Sequence, residues 1–383
     1  MTGSLADLSF WIAASLLAYS YVAYPAIVLA AAALVGKRRD GPSCNSWPDV
    51  AVIIAAHNEE KVIGDRIRNV LEQDYPPERL ALIIGSDGST DSTVEIGRRS
   101  SSARCEIRAF DQNRGKASVL NDLIAEAHEP VIICSDANTY FEPDTVRRLA
   151  ARFVDPAVGA VCGELVLTPP EKARNEDHKY WTIERKLKAA ESSIEGLLGA
   201  NGGVYAFRRA LYRPLTPDTI CDDFVIVMNV AVTGRSVVYE PRARAYEETP
   251  QDMTAEFRRR VRIGVGNYQV LFRHPDFITS ANWARRWTYL SHKVLRWLTP
   301  HLLLVMLVAS GIAMRRQPYA VLFAVQVVAY GTAWLVYATR QTVPWPGLVR
   351  LFSLFFVVNL AFGIAFVRFL RGSDSGGWRR TER

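Results

Sequence analysis

Charged residues are absent from several long stretches of the chain, and these stretches predict membrane-spanning helices. Residues 8–36 contain no Asp, Glu, Lys or Arg, and the run exceeds the roughly 20 residues that a helix needs to cross the hydrocarbon core of a bilayer. Three more uncharged runs lie near the C-terminus, at residues 297–314, 317–339 and 351–367. We therefore expect an anchor within residues 1–40, about three spans within residues 298–370, and a basic tail at residues 371–383.

Between these runs, short apolar segments alternate with segments of helical periodicity. Residues 50–56 form a continuous apolar run that predicts a buried strand, and residues 61–73 follow with apolar side chains on one helical face. The order recurs three times, with strands predicted at 80–85, 105–110 and 131–134 and helices at 91–100, 116–127 and 143–154. This pattern favours an α/β domain over residues 41–275, with a mostly parallel sheet covered on both faces.

Polar residues follow each predicted strand, where ligands bind in open parallel sheets. They lie at residues 57–60, 86–91, 111–116 and 135–138. No G-x-G-x-x-G follows the first strand and no G-x-x-x-x-G-K-[ST] occurs, which excludes the usual dinucleotide-binding and P-loop motifs.

The charges around the first apolar run predict its orientation. One acid, Asp7, precedes the run, whereas bases at 37–39 follow it, so the positive-inside rule places the central domain in the cytoplasm. The basic tail conflicts with this topology, because three C-terminal spans would carry it to the other side. Either one C-terminal run is re-entrant or interfacial, or the rule is weak for the last segment.

Residues 276–297 combine aromatic and basic side chains, a composition typical of an amphipathic helix at the level of lipid headgroups. The alternative is an ordinary amphipathic helix packed on the domain. The residues concerned are Trp283, Trp287, Tyr289, Trp297, Arg285, Arg286, Lys293 and Arg296.

Charge and cysteine content narrow the function classes. The net charge of +7 is concentrated beside the apolar runs, at residues 37–39, Arg285, Arg286, Arg296, Arg315 and Arg316. Anionic membrane lipids are therefore the expected partner, and nucleic acid is not. The five cysteines form no C-x-x-C pair and are odd in number, so we expect neither a disulfide framework nor a zinc site.

Two of the strand-end groups have the chemistry of a phosphate or cation site. Asp136 and Asn138 can direct oxygen ligands into one crevice, as a hard cation that bridges two phosphates requires, although Asp and Asn also form ordinary turns. For Asp87 too, the alternative is an ordinary turn. Lys116, with Arg114 nearby, begins a predicted helix and could hold phosphates or lie on the surface.

Two further groups lie later in the domain. Asp222 and Asp223 begin an apolar stretch that could raise the pKa of a carboxylate toward the range of a general base, or they could simply cap a helix. Arg258, Arg259 and Arg262 share neighbouring helical faces, where they could neutralise a leaving diphosphate or contact lipid headgroups.

In this order, the motifs resemble those of the membrane-bound family 2 glycosyltransferases of bacterial polysaccharide synthesis. This group includes cellulose, hyaluronan, chitin-oligosaccharide and poly-N-acetylglucosamine synthases. The resemblance covers about residues 48–370. It rests on residues 57–60, Asp87-Gly88-Ser89 with Thr90-Asp91, Gly115-Lys116 with Asn121, Asp136-Ala137-Asn138, Asn201-Gly202-Gly203 running into Phe207-Arg208-Arg209, and Asp222-Asp223.

The resemblance implies a GT-A fold, a bacterial inner-membrane location and an inverting transfer from a UDP-sugar to a saccharide or lipid-linked acceptor. Polysaccharide-assembly subunits are possible partners. It implies the following roles: Glu59 and Asp87 contact the nucleoside, Lys116 and Arg259 the diphosphate, Asp136 and Asn138 hold Mg²⁺ or Mn²⁺, and Asp223, beside Asp222, is the base.

The chain departs from the family's Q-x-x-R-W motif, because only Arg262 is kept while Arg259 replaces Gln and Ile263 replaces Trp. Single transfer is therefore expected over processive synthesis. Asn138 in place of the second Asp of D-x-D predicts weaker metal binding. Two rival functions remain: a polyprenyl-phosphate sugar transferase, and a non-catalytic scaffold or transporter subunit.

Overall fold

The protein is described from a computed structural model, which places residues 2–36, 47–100, 102, 104–168, 177–200, 202–248, 253–279, 282–340 and 342–372. The bases at 37–39, Asn201 and the tail after Gly372 lie outside the described residues.

Eight strands within the described residues form one sheet. They are β1 (Val50–Ala56), β2 (Leu80–Asp87), β3 (Cys105–Phe110), β4 (Val131–Asp136), β5 (Thr139–Phe141), β6 (Val158–Thr168), β7 (Tyr205–Arg208) and β8 (Ser236–Glu248). The predicted strands at 50–56 and 105–110 have the observed bounds, whereas β2 and β4 each continue two residues further, into Asp87 and Asp136.

The sheet is parallel in one half and mixed in the other. Its order is β3-β2-β1-β4-β7-β6-β8-β5, and the first four strands are mutually parallel. β7 then runs antiparallel to both β4 and β6, β6 is parallel to β8, and β5 is antiparallel to β8. The predicted mostly parallel α/β sheet is confirmed, and the mixed half follows from strands that the sequence pattern did not reveal.

Fifteen α-helices lie within the described residues. They are α1 (Thr2–Ala18), α2 (Tyr24–Val35), α3 (Ile63–Leu71), α4 (Thr93–Ser100), α5 (Lys116–Glu126), α6 (Thr145–Ala151), α7 (Asp177–Ser193), α8 (Asp222–Val232), α9 (Met253–Arg273), α10 (Asp276–Thr279), α11 (Trp283–Thr288), α12 (Leu295–Trp297), α13 (Thr299–Ala313), α14 (Tyr319–Thr339) and α15 (Gly347–Arg371). Short π-helical turns at Tyr19–Ala23 and Tyr289–Val294 join α1 to α2 and α11 to α12.

Alternate residues of the central strands serve two separate cores. Ala51, Ile53 and Ala55 of β1 pack on the side that contains α5 and α8, whereas Val52 and Ile54 pack on the side that contains α3 and α6. All five residues are fully buried. Because both faces of the sheet are covered, the polar ends of the strands are the part of the sheet left for chemistry.

Three helical stretches of the described chain are long and apolar enough to cross a membrane: Leu5–Val35, Tyr319–Thr339 and Gly347–Arg371. A fourth is possible if Trp283–Trp297 and Thr299–Ala313, which meet at a bend of 59°, together form one span. With this fourth stretch, the number of candidate spans agrees with the expected N-terminal helix and about three C-terminal helices. These apolar helices mark the chain as a membrane protein.

The segment at residues 276–297 is packed against the domain by several of its side chains. Arg285 is 2% exposed and donates from one guanidinium nitrogen to the carbonyl of Ala231, in the last turn of α8, at 2.7 Å. Trp283, in contrast, is 71% exposed. Arg285 and Arg296 were expected beside lipid headgroups. This is wrong for Arg285, whose buried side chain caps the end of α8. Arg296 pairs with Glu184 at 2.6 Å.

A buried group of polar side chains joins the N-terminal helix to the domain. Tyr24 of α2 donates to the carboxylate of Glu191 on α7 at 2.7 Å, and His292 contacts the same Glu191 oxygen at 2.5 Å. His292 also lies 3.3 Å from Glu184, the partner of Arg296. We call these five residues the junction cluster; it links α2, α7 and the helices that follow the domain.

Candidate active site

The strand ends that the sequence analysis singled out meet at one edge of the sheet. In the register of the sheet, Ala55 of β1 pairs with Asp136 of β4, and Ala56 pairs with Ser86 of β2. Asp87 and Asp136 therefore lie at the same edge of the sheet, on the two strands that flank β1.

Asp87 positions the loop that precedes α5. It is fully buried, and its two carboxylate oxygens accept backbone N–H groups from Arg114 and Gly115, each at 2.8 Å. Gly115 has a φ of 90° and caps α5, so the paired N–H groups fix the direction in which the helix starts. Since both oxygens serve this loop, direct contact of Asp87 with a nucleoside remains a prediction.

The residues after β1 form a hydrogen-bonded turn beside this loop. His57 Nδ1 lies 2.7 Å from the carbonyl of Asp87, and Asn58, with a φ of 55°, accepts from the N–H of Thr90 at 2.8 Å. The N–H of Glu59 donates to Thr93 at 2.7 Å, and the Glu59 side chain is partly exposed. Its predicted contact with the nucleoside is not tested by this geometry.

Lys116, the first residue of α5, links two acidic segments of the site. Its ammonium group lies 2.8 Å from Asp136 Oδ1 and 3.1 Å from Asp222 Oδ2, and only the first contact has hydrogen-bond geometry. Burial acts to lower the pKa of Lys116, but the charges of Asp136 and Asp222 outweigh it and raise that pKa above its usual value. Lys116 is therefore a permanent cation at the start of a helix, where anions bind.

Asp223 and Asp136 both lie beside Gly202. A β-carbon placed on Gly202 would lie 3.5 Å from Asp136 Oδ2 and 3.6 Å from Asp223 Oδ2, which are ordinary contact distances. We call the space between Gly202 and these two carboxylates the hollow. Burial and the neighbouring charge of Asp222 raise the pKa of Asp223 to about 7, against the opposing effect of Lys116. The sequence left open whether this pair contains a carboxylate of raised pKa or only caps a helix; both residues lie in the first turn of α8, and the pKa of Asp223 is raised.

The geometry of Asp136 and Asn138 fits a divalent cation in part. Asp136 Oδ1 is paired with Lys116, whereas Oδ2 faces the hollow at Gly202. Asn138 is partly exposed, and its amide nitrogen donates to Glu247 at 3.2 Å. Within the described residues no three His, Cys, Asp or Glu side chains converge as a ready metal cage, so a cation here would draw part of its shell from a diphosphate and water.

Helix α9 packs against Cys221, the residue before Asp222 and Asp223. A β-carbon on Gly266 would lie 2.6 Å from Cys221 Sγ, and Arg262 is one turn earlier on the same face. Its side chain is exposed and has no ion-pair partner among the described residues. Arg259 instead pairs with Glu256 at 3.3 Å, and its predicted contact with the diphosphate stays a prediction.

Sequence reasoning missed Arg66, which contacts a residue of the strand-end group at 135–138. Arg66 of α3 is fully buried; it donates to Ser135 at 2.7 Å and lies 4.1 Å from the ring centre of Phe141. Ser135 in turn donates to the carbonyl of Gly203 at 2.7 Å, so the chain of contacts supports the wall of the hollow. The available signal was a charged residue on the apolar face of a predicted helix.

Comparisons with known proteins agree on the family. Residues 51–215 match the model of Glycosyl transferase family 2. The poly-beta-1,6-N-acetyl-D-glucosamine synthase of Staphylococcus aureus (strain COL) is 28% identical over 260 residues, which cover 62% of this chain and 60% of that protein. The synthase of the same name from Staphylococcus epidermidis is 26% identical over 232 residues, with 58% and 56% covered. The match thus spans about 60% of the length of these relatives.

A solved structure shares the fold. It is a mannosyltransferase from Pyrobaculum calidifontis in complex with GDP-Man and Mn²⁺, and it superposes with a TM-score of 0.71 at 21% identity. The superposition covers 96% of this chain and 100% of the other. At this identity the likeness shows the fold, which is of the GT-A type. Residues 51–215 are therefore similar to a family 2 glycosyltransferase domain, and the chain has a GT-A fold set between apolar helices.

Proposed function

We propose that the chain catalyses an inverting, divalent-cation-dependent transfer of a sugar from a nucleotide-sugar to a hydroxyl group. The expected donor is a UDP-sugar, and the expected acceptor is a saccharide or a lipid-linked sugar of a bacterial cell-surface polysaccharide. The observation that carries the proposal is the hollow at Gly202, which Asp136 Oδ2 and Asp223 Oδ2 both face.

Asp223 has the properties of the base. A carboxylate with a pKa of about 7 binds a proton far more readily than an ordinary aspartate, yet it is about half ionised at neutral pH. It would take the proton of the acceptor hydroxyl while the oxygen attacks the anomeric carbon. The bond to the diphosphate breaks on the opposite face of the sugar, so the configuration inverts.

The cationic groups of the site suit the departing diphosphate. Lys116 presents a fixed positive charge 2.8 Å from Asp136, at the positive end of the α5 dipole. Arg262 supplies a second charge from α9. A bound Mg²⁺ or Mn²⁺, held by Asp136 and Asn138, would add Lewis-acid stabilisation of the same negative charge.

The apolar helices support a location at a membrane. The positive-inside rule supports a cytoplasmic domain attached to the bacterial inner membrane. The names of the staphylococcal relatives support a product that is a surface polysaccharide. Ile263, in place of an aromatic residue that could stack on a sugar, supports single transfer over chain extension.

The test is a donor panel. Membranes that contain the full chain are incubated with labelled UDP-GlcNAc, UDP-Glc, UDP-Gal and GDP-Man, with Mn²⁺, with Mg²⁺ or with EDTA. We expect label in a saccharide or lipid-linked product from one UDP-sugar, and its loss in EDTA. A labelled lipid that forms only when polyprenyl phosphate is supplied, and that releases its label in mild acid, would instead identify a polyprenyl-phosphate transferase. Failure with every donor would favour a non-catalytic role.

A further inference from the structure

Glu247 lies next to the one position where the chain departs from the D-x-D motif. β5 begins at Thr139, directly after Asn138, and Thr139 pairs with Glu247 in the register of β5 and β8. The Glu247 side chain is 9% exposed, and its Oε1 accepts from Asn138 Nδ2 at 3.2 Å. Strand pairing therefore holds the amide and the carboxylate side by side at the rim of the site.

The chemistry of this contact fixes the orientation of the amide. An ionised carboxylate can only accept hydrogen bonds, so the end of Asn138 that meets Glu247 must be its NH₂ group. The carbonyl oxygen of Asn138 is then the end directed away from Glu247. An aspartate at position 138 would place two carboxylates together at this distance, and their repulsion would favour a protonated form. The structure thus explains why an amide stands here.

We propose that Glu247 is a positioning residue of the cation site. It holds the Asn138 amide with its carbonyl oxygen toward the cation. Its own carboxylate also supplies the negative charge that the second aspartate of D-x-D would carry. This inference rests on the proposed function, since it assumes a cation at Asp136. Carboxylates that orient a metal ligand in this way usually change metal affinity about 10- to 100-fold when they are removed.

The experiment measures Mn²⁺ binding to the full chain in detergent, by the electron paramagnetic resonance signal of free Mn²⁺, without donor and then with saturating UDP. We expect Glu247→Ala to weaken the binding of Mn²⁺ about 10- to 100-fold. The matched control is Glu248→Ala, because Glu248 is the exposed next residue of β8 and its side chain points to the other face of the sheet. We expect this control to bind Mn²⁺ as the wild type does.

A swap of the two groups tests the orientation itself. Glu247→Gln alone keeps the shape of the side chain and loses its charge, and we expect weaker Mn²⁺ binding. The double variant Asn138→Asp with Glu247→Gln restores one amide, one carboxylate and the hydrogen bond between them, so we expect Mn²⁺ affinity within about threefold of wild type. A residue that only supported the strand would show no such rescue. If Glu247→Ala does not fold, the Gln variant and the swap carry the test.

Two results contradict the inference in different ways. If wild type binds Mn²⁺ and neither Glu247→Ala nor Glu247→Gln alters the affinity, Glu247 has no part in the cation site while the proposed function stands. If wild type transfers sugar but binds no Mn²⁺ with or without UDP, the cation dependence itself is wrong, and the role of Glu247 falls with it.

Discussion

At the scale of single residues, the proposed reaction depends on one carboxylate that can accept a proton. Asp223→Asn keeps the size of the side chain and the oxygen that accepts from the N–H of Phe224 at 2.8 Å, but it removes the base. Because general-base catalysis typically contributes 10²- to 10⁴-fold, we expect the transfer rate to fall by about this range. Binding of UDP, measured by calorimetry, should stay within about threefold of wild type.

The matched control for this substitution is Asp65→Asn, since Asp65 is an exposed aspartate on α3 that pairs only at the surface with Arg68. We expect wild-type turnover from it. A purified Asp223→Asn enzyme with turnover within threefold of wild type would show that another group removes the proton.

The raised pKa of Asp223 also predicts two opposite responses to pH. Activity should rise tenfold per pH unit below about pH 7 and level off above it, because the base must be ionised. The free energy of unfolding should change in the other direction. Between about pH 4 and pH 7, the folded protein keeps a proton on Asp223 that the unfolded chain has already released. The folded state is therefore destabilised as the pH rises through this range.

The Asp223→Asn variant has no such proton to lose. We expect its melting temperature at pH 8 to exceed that of wild type, and the difference to vanish near pH 4. Thermal unfolding in detergent across this pH range measures both variants. A melting temperature that falls equally with pH in the two proteins would mean that Asp223 is not the group responsible.

Much of this residue-level picture could be predicted from the sequence, and the reasons for the gaps are physical. Asp136 was singled out because it follows an apolar run, Lys116 because it begins a predicted helix, and the Asp222–Asp223 pair because it begins an apolar stretch. Glu247 was not, since it lies in a strand whose pairing with β5 brings together residues that are far apart in the chain. A local pattern contains no information on such pairing.

At the scale of elements, helix α9 packs between Cys221, which precedes the Asp222–Asp223 pair, and the apolar helix α15. Gly266 lets it approach Cys221, and on another face Gly264 lets it approach Ala365 of α15; a β-carbon at either glycine would come within 2.6 Å of the neighbouring atom. Gly264 and Gly266 therefore allow close packing of α9 against its two neighbours.

Gly266→Ala should displace α9 from the start of α8 and so disturb Asp223 and Arg262. Overpacking of this kind costs about 1–3 kcal/mol, and we expect turnover to fall more than donor binding. Gly331→Ala in α14 is the control, because a β-carbon there meets no atom within 4 Å. The measurement compares the transfer rates and UDP affinities of the two variants. Equal transfer rates for Gly266→Ala and Gly331→Ala would mean that α9 can move without affecting the site.

The helices and strands of the parallel half were predicted from the sequence to within two residues or so, since each combines a long apolar run with a clear boundary. The mixed half was not. β5 has only three residues, Thr139–Phe141, and β7 only four, Tyr205–Arg208, which is too short for periodicity to be recognised.

At the scale of the whole molecule, the domain and its N-terminal helix share buried hydrogen bonds. Tyr24→Phe would take one donor from the Glu191 carboxylate, which is 2% exposed. A buried group left with one partner fewer typically costs about 1–3 kcal/mol, so we expect a lower melting temperature in detergent. Tyr337→Phe, on α14 and outside the junction cluster, should leave the melting temperature unchanged. Equal melting temperatures for both variants would show that the contact adds no stability.

The junction cluster limits which helices could replace the N-terminal helix of this protein. A foreign anchor of the same length and hydropathy would still hold the protein in a bilayer, but without the hydroxyl of Tyr24 it would leave Glu191 and His292 to share a smaller set of partners. Exchange of anchors between related enzymes would therefore have to bring the matching surface of α7 along with the new helix. In this protein the N-terminal helix α2 is joined to the domain by buried hydrogen bonds as well as by the chain itself.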